Sequence, residues 1–361
     1  IAISSNHAPM FSVADGGQLY ARNPLNFPSS RLRLPVGPED DSRIKEGLDA
    51  YTPFQLNFGD TSAIPSSASE YGGPAAASFQ GKVFAAWCEK NTGVGHDTKV
   101  KIASWSGSSW SSSNEVPYPG TQDNPPALAT FGNDLYLAWT GYGYEGIWCT
   151  WSSDGSTWNA GQHQITTRTS TYGGPAIVAF NGKLYVAWCD DEGDGNRRDK
   201  DTMVYYSSSS DGSNWTTPVR LPGPGTYENG PALVAYDGRM YAFWMGYDYD
   251  GIWYASTSDG ENWSPQASIP TTSGQNTKYG GPAAAVYDGR LWVTWLDGSS
   301  TVNHAVAAME YDDDGEGTLS WSLSTELSIV DTNKVRPALA EDTANDSLML
   351  VWTKSDNTAH E

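Results

Sequence analysis

The sequence predicts an all-β protein, a β-propeller of six blades in which each blade is a four-stranded antiparallel sheet. Three observations predict it. One pattern recurs six times along the chain at intervals of roughly 50 residues. Glycine turns recur through the first five copies between short runs of β-branched and aromatic residues. Finally, 38 Gly, 16 Trp and 20 Tyr against only 17% charged residues favour many short strands with tight turns over helices.

The six copies are YGGPAAASFQGKVFAAW, DNPPALATFGNDLYLAW, YGGPAIVAFNGKLYVAW, ENGPALVAYDGRMYAFW, YGGPAAAVYDGRLWVTW and KVRPALAEDTANDSLMLVW, with repeats beginning near residues 71, 123, 172, 228, 279 and 334. Each opens on a proline (Pro74, Pro126, Pro175, Pro231, Pro282, Pro337) and runs to a tryptophan (Trp87, Trp139, Trp188, Trp244, Trp295, Trp352). The interval is 13 residues in the first five copies and 15 in the sixth. After the proline a strand of small residues, such as Ala75 to Ala77, suits the crowded axis of a radial array. A turn follows at Gln80-Gly81, Asn181-Gly182, Asp237-Gly238 or Asp288-Gly289, where a type I′ hairpin needs positive φ at both central residues. The second strand ends in the tryptophan. Beyond a variable loop, a third strand (IWCTWSS, TMVYYSSSS, IWYASTS) reaches a second turn at Asp154-Gly155, Asp211-Gly212 or Asp259-Gly260, and a fourth strand begins at Trp158, Trp215 or Trp263.

Those second turns, SSDGSTW, SSDGSNW and TSDGENW, resemble the Asp-box, or BNR, repeats of the sialidase-like β-propeller superfamily, with a loop one residue shorter than the usual S-x-D-x-G-x-x-W form. The resemblance covers about residues 70 to 360 and implies a propeller in which Ser, Asp, Gly and Trp hold the outer hairpin of each blade. An enzyme of that family would bring three arginines for a substrate carboxylate, a Tyr-Glu nucleophile pair, an Asp acid and an Arg-Ile-Pro motif. Arg33-Leu34-Pro35 is the nearest approach to the last, but Arg220-Leu221-Pro222 repeats it at a fourth-strand position, and no arginine triad falls in equivalent blades.

The sixth copy stops nine residues after Trp352, so its outer strands must come from elsewhere. NHAPMFSVADGGQL resembles a third strand with a turn at Asp15-Gly16, and SRLRLPVGP resembles the fourth strand PVRLPGPG. Residues 1–36 are therefore expected to close the ring and to remove an exposed sheet edge. Residues 37–70 are then an insertion, or alternatively part of a divergent seventh blade, and the whole chain forms one domain.

A net charge of −21 repels nucleic acid and anionic membrane surfaces and favours a neutral ligand. No apolar run is long enough to span a bilayer. Three cysteines exclude a disulfide framework. Cys88 and Cys189 hold the same place in two repeats, and these two with Cys149 read as buried thiols. The chain begins at Ile1, as one whose leader has been removed would, and the expected location is extracellular.

Strand alternation sends the loops entering the first strand and those joining the second to the third onto one face. There the second and fourth copies continue GYGYEGIW and GYDYDGIW, giving Tyr142, Tyr144, Glu145 and Trp148 in one blade and Tyr247, Asp248, Tyr249, Asp250 and Trp253 in another. Aromatic rings stack on the apolar face of a sugar and carboxylates accept its hydroxyls, so these two sets are the candidate glycan-binding residues of a multivalent lectin. In the competing structural reading Trp148 and Trp253 pack between blades. Trp139 and Trp244, shared by all copies, read as structural. The alternative function is a glycoside hydrolase, sialidase-like or another exo-glycosidase, with a central pair of carboxylates.

One stretch has the register of a calcium loop: Asp190, Glu192, Asp194, Gly195 and Asp201 stand at positions 1, 3, 5, 6 and 12. Glu at position 3 and Asp at 12 depart from that pattern, and Arg197, Arg198 and Lys200 would neutralise the acids without a metal. No cofactor is required, and Ca2+ is the one candidate. The five histidines show no ligand spacing. Sequons at Asn214, Asn262 and Asn345 permit glycosylation, the first two inside Asp-box turns.

Overall fold

A computed structural model describes residues 11–13, 19–21, 62–64, 72–89, 99–117, 119–121, 124–168, 173–191, 201–223, 226–227, 229–246, 251–270, 277–297, 302–311, 317–322, 324–327 and 335–353. The chain divides into two compact units, Ile1–Ala63 and Ile64–Glu361. The first contributes a two-stranded hairpin, β1 (Phe11–Val13) and β2 (Leu19–Ala21), with Val13 opposite Leu19. Most of the segments expected to close the ring or form an insertion lie outside the described residues.

The second unit is all-β. Its first sheet holds β3 (Ala75–Phe79), β4 (Lys82–Cys88), β5 (Val100–Trp105) and β6 (Asn114–Glu115). The second holds β7 (Ala127–Phe131), β8 (Asp134–Thr140), β9 (Ile147–Ser152) and β10 (His163–Thr166). In the third, β11 (Ala176–Phe180), β12 (Lys183–Asp191), β13 (Asp201–Ser209) and β14 (Val219–Arg220) follow in order, and β15 (Thr226–Tyr227) also pairs with β13. The fourth is β16 (Ala232–Tyr236), β17 (Arg239–Met245), β18 (Ile252–Thr257) and β19 (Ala267–Ser268). The fifth is β20 (Thr277–Tyr287), β21 (Arg290–Asp297), β22 (Val302–Tyr311) and β23 (Gly317–Trp321), with β24 (Thr325–Glu326) also on β22. A sixth sheet has two strands, β25 (Ala338–Asp342) and β26 (Ser347–Val351). Every pairing is antiparallel, as the sequence predicts. The innermost strands neighbour one another in a cycle, β3 to β7, β11, β16, β20, β25 and back to β3, which is a propeller arrangement.

The inner hairpins have the predicted chemistry. Gln80, Asn181, Asp237 and Asp288 all take φ between 45° and 50°, each followed by a glycine that is also at positive φ. Between sheets, the small inner residues and the second-strand tryptophans fill the core. Trp139, Trp188, Trp244 and Trp295 are among the largest fully buried side chains, so the structural reading of Trp139 and Trp244 agrees with their placement. Cys88, Cys149 and Cys189 are buried free thiols, and burial pushes Cys149 up to about 12.

Each Asp-box is a closed hydrogen-bond circuit. Asp154 Oδ1 accepts the N–H groups of Ser156 (2.7 Å) and Thr157 (2.6 Å), and Ser152 Oγ accepts that of Gly155 (2.8 Å). Asp211 with Ser209, and Asp259 with Thr257, repeat the circuit, each also taking the amide of the following Asn214 or Asn262 on its second oxygen. The turn glycine has a further duty that the motif alone does not reveal. The second-strand aromatic of the preceding blade packs on it: Phe84 on Gly155, Tyr136 on Gly212 and Tyr185 on Gly260, each leaving no room for a Cβ. The inner hairpins dock there as well, through Gln80 Nε2 to Ser153 O and Asn181 Nδ2 to Ser258 O, both 3.0 Å.

Candidate functional site

The axis on the loop face is closed by backbone. The residues preceding the six prolines are Gly73, Pro125, Gly174, Gly230, Gly281 and Arg336. A Cβ on Gly73, Gly174, Gly230 or Gly281 would collide with the carbonyl oxygen of Arg336, Pro125, Gly174 or Gly230 respectively. Only the sixth position carries a long side chain. The buried Arg336 guanidinium donates to Pro126 O (2.9 Å), Pro175 O (3.1 Å) and Pro231 O (3.3 Å), one carbonyl from each of three blades. Burial draws its pKa down to about 10. Nothing in the repeat pattern announces this role, because the arginine occurs in one copy only.

Around this hub, the first of the two predicted aromatic loops is well described. Residues Tyr142–Tyr144 form a short 3-10 turn. Gly141 N–H donates to Gly146 O (2.9 Å) and closes the loop, while Tyr142 N–H donates to Gly120 O (2.6 Å). Trp148 is half-buried beneath it and its indole donates to Glu145 O (2.9 Å), an oxygen that Gln164 Nε2 also reaches at 3.2 Å. The ring of Trp148 lies so close to Gly141 that no side chain fits there. This is bracing of the loop from below. Tyr142 in contrast is 56% exposed, one of two exposed large hydrophobic residues among those described, and Glu145 is exposed beside it. The backbone of Tyr144 belongs to the same turn.

The second loop, Tyr247, Asp248, Tyr249 and Asp250, lies outside the described residues. Its flanks repeat the geometry of the first: Gly246 N–H donates to Gly251 O (3.0 Å), as Gly141 does to Gly146, and Trp253 pairs with Trp244 as Trp148 does with Trp139. Trp253 is half-buried and packs against the core between the third and fourth sheets.

Of the calcium-loop residues, Glu192 and Asp194 lie outside the described residues and Asp201 opens β13. Asp190 is buried and forms an ion pair with Arg168, Nε to Oδ2 at 2.6 Å. The Arg168 guanidinium lies 4.3 Å above the Tyr205 ring centroid. Among the described residues no group of three or more His, Cys, Asp or Glu side chains stands in position to hold a metal ion. No helix among them is long and apolar enough to cross a membrane. Arg168 carried no signal in the sequence, because it stands in a connecting segment without a counterpart in the other copies.

Fold and repeat together define a β-propeller whose outer hairpins are Asp-boxes. Residues 182–360, about half of the chain, match the family described as BNR repeat-like domain. No curated protein matches the chain. Among solved structures, a triple arginine-to-alanine mutant of AofleA from Arthrobotrys oligospora is similar at 15% identity and TM-score 0.56, covering 81% of each chain. A Trypanosoma rangeli sialidase in complex with 2,3-difluoro-KDN is similar at 14% identity and TM-score 0.52, over 79% of this chain and 51% of that one. The GH43_1 enzyme from Xanthomonas citri complexed with xylose has 11% identity and TM-score 0.47, over 72% of this chain and 92% of that one. At these identities the likeness is one of fold.

Proposed function

We propose that this propeller recognises carbohydrate on its loop face, holding neutral glycans at the Tyr142 loop and its copy around Tyr247 without cleaving them. The observation that carries the reading is the contrast inside one loop. Gly141 to Gly146 is locked by its closing hydrogen bond and by Trp148, yet Tyr142 and Glu145 stand in solvent. An exposed aromatic ring and a carboxylate on a braced loop suit a sugar, because little backbone freedom is lost when a pyranose stacks there. The repulsion of anions by a net charge of −21 supports neutral ligands. In this reading the protein acts outside the cell, and Ca2+ near Asp190 is an accessory rather than a requirement.

The second reading is a glycoside hydrolase, supported by the likeness to the Trypanosoma rangeli sialidase. Such an enzyme would place two carboxylates where the blades converge. Strands β3, β7, β11, β16 and β20 contain no acidic residue, and the acids of β25, Glu341 and Asp342, are at its far end, where Asp342 is tied to Trp105 and Asn345. With Arg336 and the glycine backbones filling the axis, this geometry favours binding. The remaining route to catalysis is through Glu89, Asp190 and Asp297, each two residues beyond the second-strand tryptophan of alternate blades.

The reading also takes the ring as six-bladed, and the place of Ile64 supports it. Ile64 stands ten residues before Pro74, as Val116, Ile165 and Leu221 stand before Pro126, Pro175 and Pro231. It packs against Ala85, Ala338 and Val351, as those residues pack into the clusters between their own neighbouring sheets.

A glycan array run beside a panel of chromogenic glycosides separates the two functions. Binding without turnover, lost in the Tyr142→Ala, Tyr247→Ala double variant, is the expected result. Turnover abolished by a single change at Glu89, Asp190 or Asp297 would establish the hydrolase instead.

A further inference from the structure

We propose that Asn124 and Thr140 form a pocket for one neutral hydroxyl group at the foot of the Tyr142 loop, and that a glycan held on Tyr142 fills it with an exocyclic hydroxyl. The second half of the proposal rests on the carbohydrate-binding reading and adds a specificity to it. The pocket itself stands on packing alone.

Two side chains here are buried with polar atoms unused. Thr140 ends β8 and is fully buried, while Asn124, two residues before Pro126, keeps 6% of its surface. Neither Asn124 Nδ2 nor Thr140 Oγ1 has a hydrogen-bond partner. Buried amides and hydroxyls are normally paired, so two left open at one place point to a group that meets them.

The fourth sheet shows how the two stand to each other. Its equivalents are Asn229, two residues before Pro231, and Met245, which follows Trp244 as Thr140 follows Trp139. There Asn229 Nδ2 reaches Met245 Sδ at 3.9 Å. The two asparagines are held alike from the preceding sheet: Asn124 O accepts the Cys88 thiol at 3.2 Å, and Asn229 O accepts that of Cys189 at 2.8 Å. The Asn124 amide therefore stands over Thr140. Where methionine extends a thioether to the amide, the shorter threonine stops short of it, and the place of the sulfur is left for one hydroxyl oxygen.

The pocket adjoins the exposed loop. Thr140 pairs with Ile147, part of the core between the second and third sheets, and Pro125 O closes against Gly174 on the axis side. Gly141 is extended (φ −63°, ψ 154°), so Thr140 and Tyr142 leave the backbone on the same side, about 7 Å apart at their Cα atoms. A pyranose on Tyr142 spans that distance.

The donors select the ligand class. An amide N–H and a hydroxyl carry no charge, so a carboxylate or ammonium would be buried there without compensation. A neutral hydroxyl accepts from Asn124 and donates to Thr140. In the fourth sheet Met245 already takes the amide, so the selectivity belongs to the second-sheet loop.

Calorimetry with a neutral glycan from an array, beside its counterpart with hydrogen in place of the exocyclic hydroxyl, tests the proposal together with melting curves of the free chain. The parent should bind the hydroxylated form about tenfold more tightly. Thr140→Val, which keeps the shape and removes the hydroxyl, should erase that preference while the deoxy form still binds, and Thr140→Ser should retain it. Thr140→Met, which copies the fourth sheet, should also erase it and serves if the valine variant fails to fold. A valine variant that keeps the parent's preference but melts lower, with an ordered oxygen between Asn124 and Thr140 in a crystal of the free chain, would assign the pocket to water and overturn the glycan half. A valine variant that keeps the preference and melts at or above the parent would overturn the pocket. A parent that binds no glycan would defeat the carbohydrate reading, and the melting curves and crystal would still decide the pocket.

Discussion

Tyr142 and Trp148 sit in the same loop and face opposite demands. Trp148 is held under the loop by its bond to Glu145 O, whereas Tyr142 projects into solvent. Tyr142→Ala should therefore leave thermal stability essentially unchanged, within about 0.5 kcal/mol, as surface substitutions usually do, while weakening glycan retention on the array. Trp148→Ala should do the reverse first: it deprives the loop of its brace, lowers the melting temperature and weakens binding as a consequence. Both residues were legible in the sequence because two copies repeat them, but their division of labour was not, since it depends on which ring lies beneath Gly141. Arg168 was invisible for the opposite reason. A lone arginine in a connecting segment has no repeat to single it out, and only folding brings it over Tyr205 and beside Asp190.

At the scale of the element, the Asp-box hairpin joins local and long-range structure. Its aspartates receive hydrogen bonds that favour the ionised form: the N–H of Thr157 then Ser156 for Asp154, the N–H and amide of Asn214 for Asp211, and the amide and N–H of Asn262 for Asp259. All three carboxyls are held well below the usual carboxylate range. A depressed folded-state pKa stabilises above the unfolded value and loses that contribution as pH falls through the folded one. Melting temperature should accordingly hold from neutrality to about pH 4 and decline below it. Asp154→Asn and its counterparts should be less stable at neutral pH and flatter against acid. The glycine makes a separate prediction. Gly212 sits at φ 73° against the ring of Tyr136, so Gly212→Ala adds strain and a clash together, and urea denaturation should show a loss of about 2 kcal/mol or more. The turn itself could be read from Asp-Gly in the sequence. The socket could not, because its occupant belongs to the neighbouring sheet.

Across the whole molecule, the close approach of neighbouring backbones explains glycine at four of the positions before the blade prolines, and Arg336 stands at the sixth. One long side chain fills the axis and ties together carbonyls from three blades, and the remaining backbones close in around it. Removing it would orphan those carbonyls in a buried setting. Arg336→Ala should destabilise the propeller by about 3 kcal/mol or more, measured by chemical denaturation. The blade pattern, hairpin turns and loop face were all legible from periodicity and turn chemistry. The hub was not, since a residue unique to one repeat is what a search for repetition discards. The same hub bears on function, because a filled axis moves recognition outward to the loops. The most direct test is a crystal structure of the chain with the strongest neutral glycan from the array. The sugar should lie across Tyr142 with its hydroxyls at Glu145. A sugar seated at the centre of the ring between two carboxylates would contradict the account.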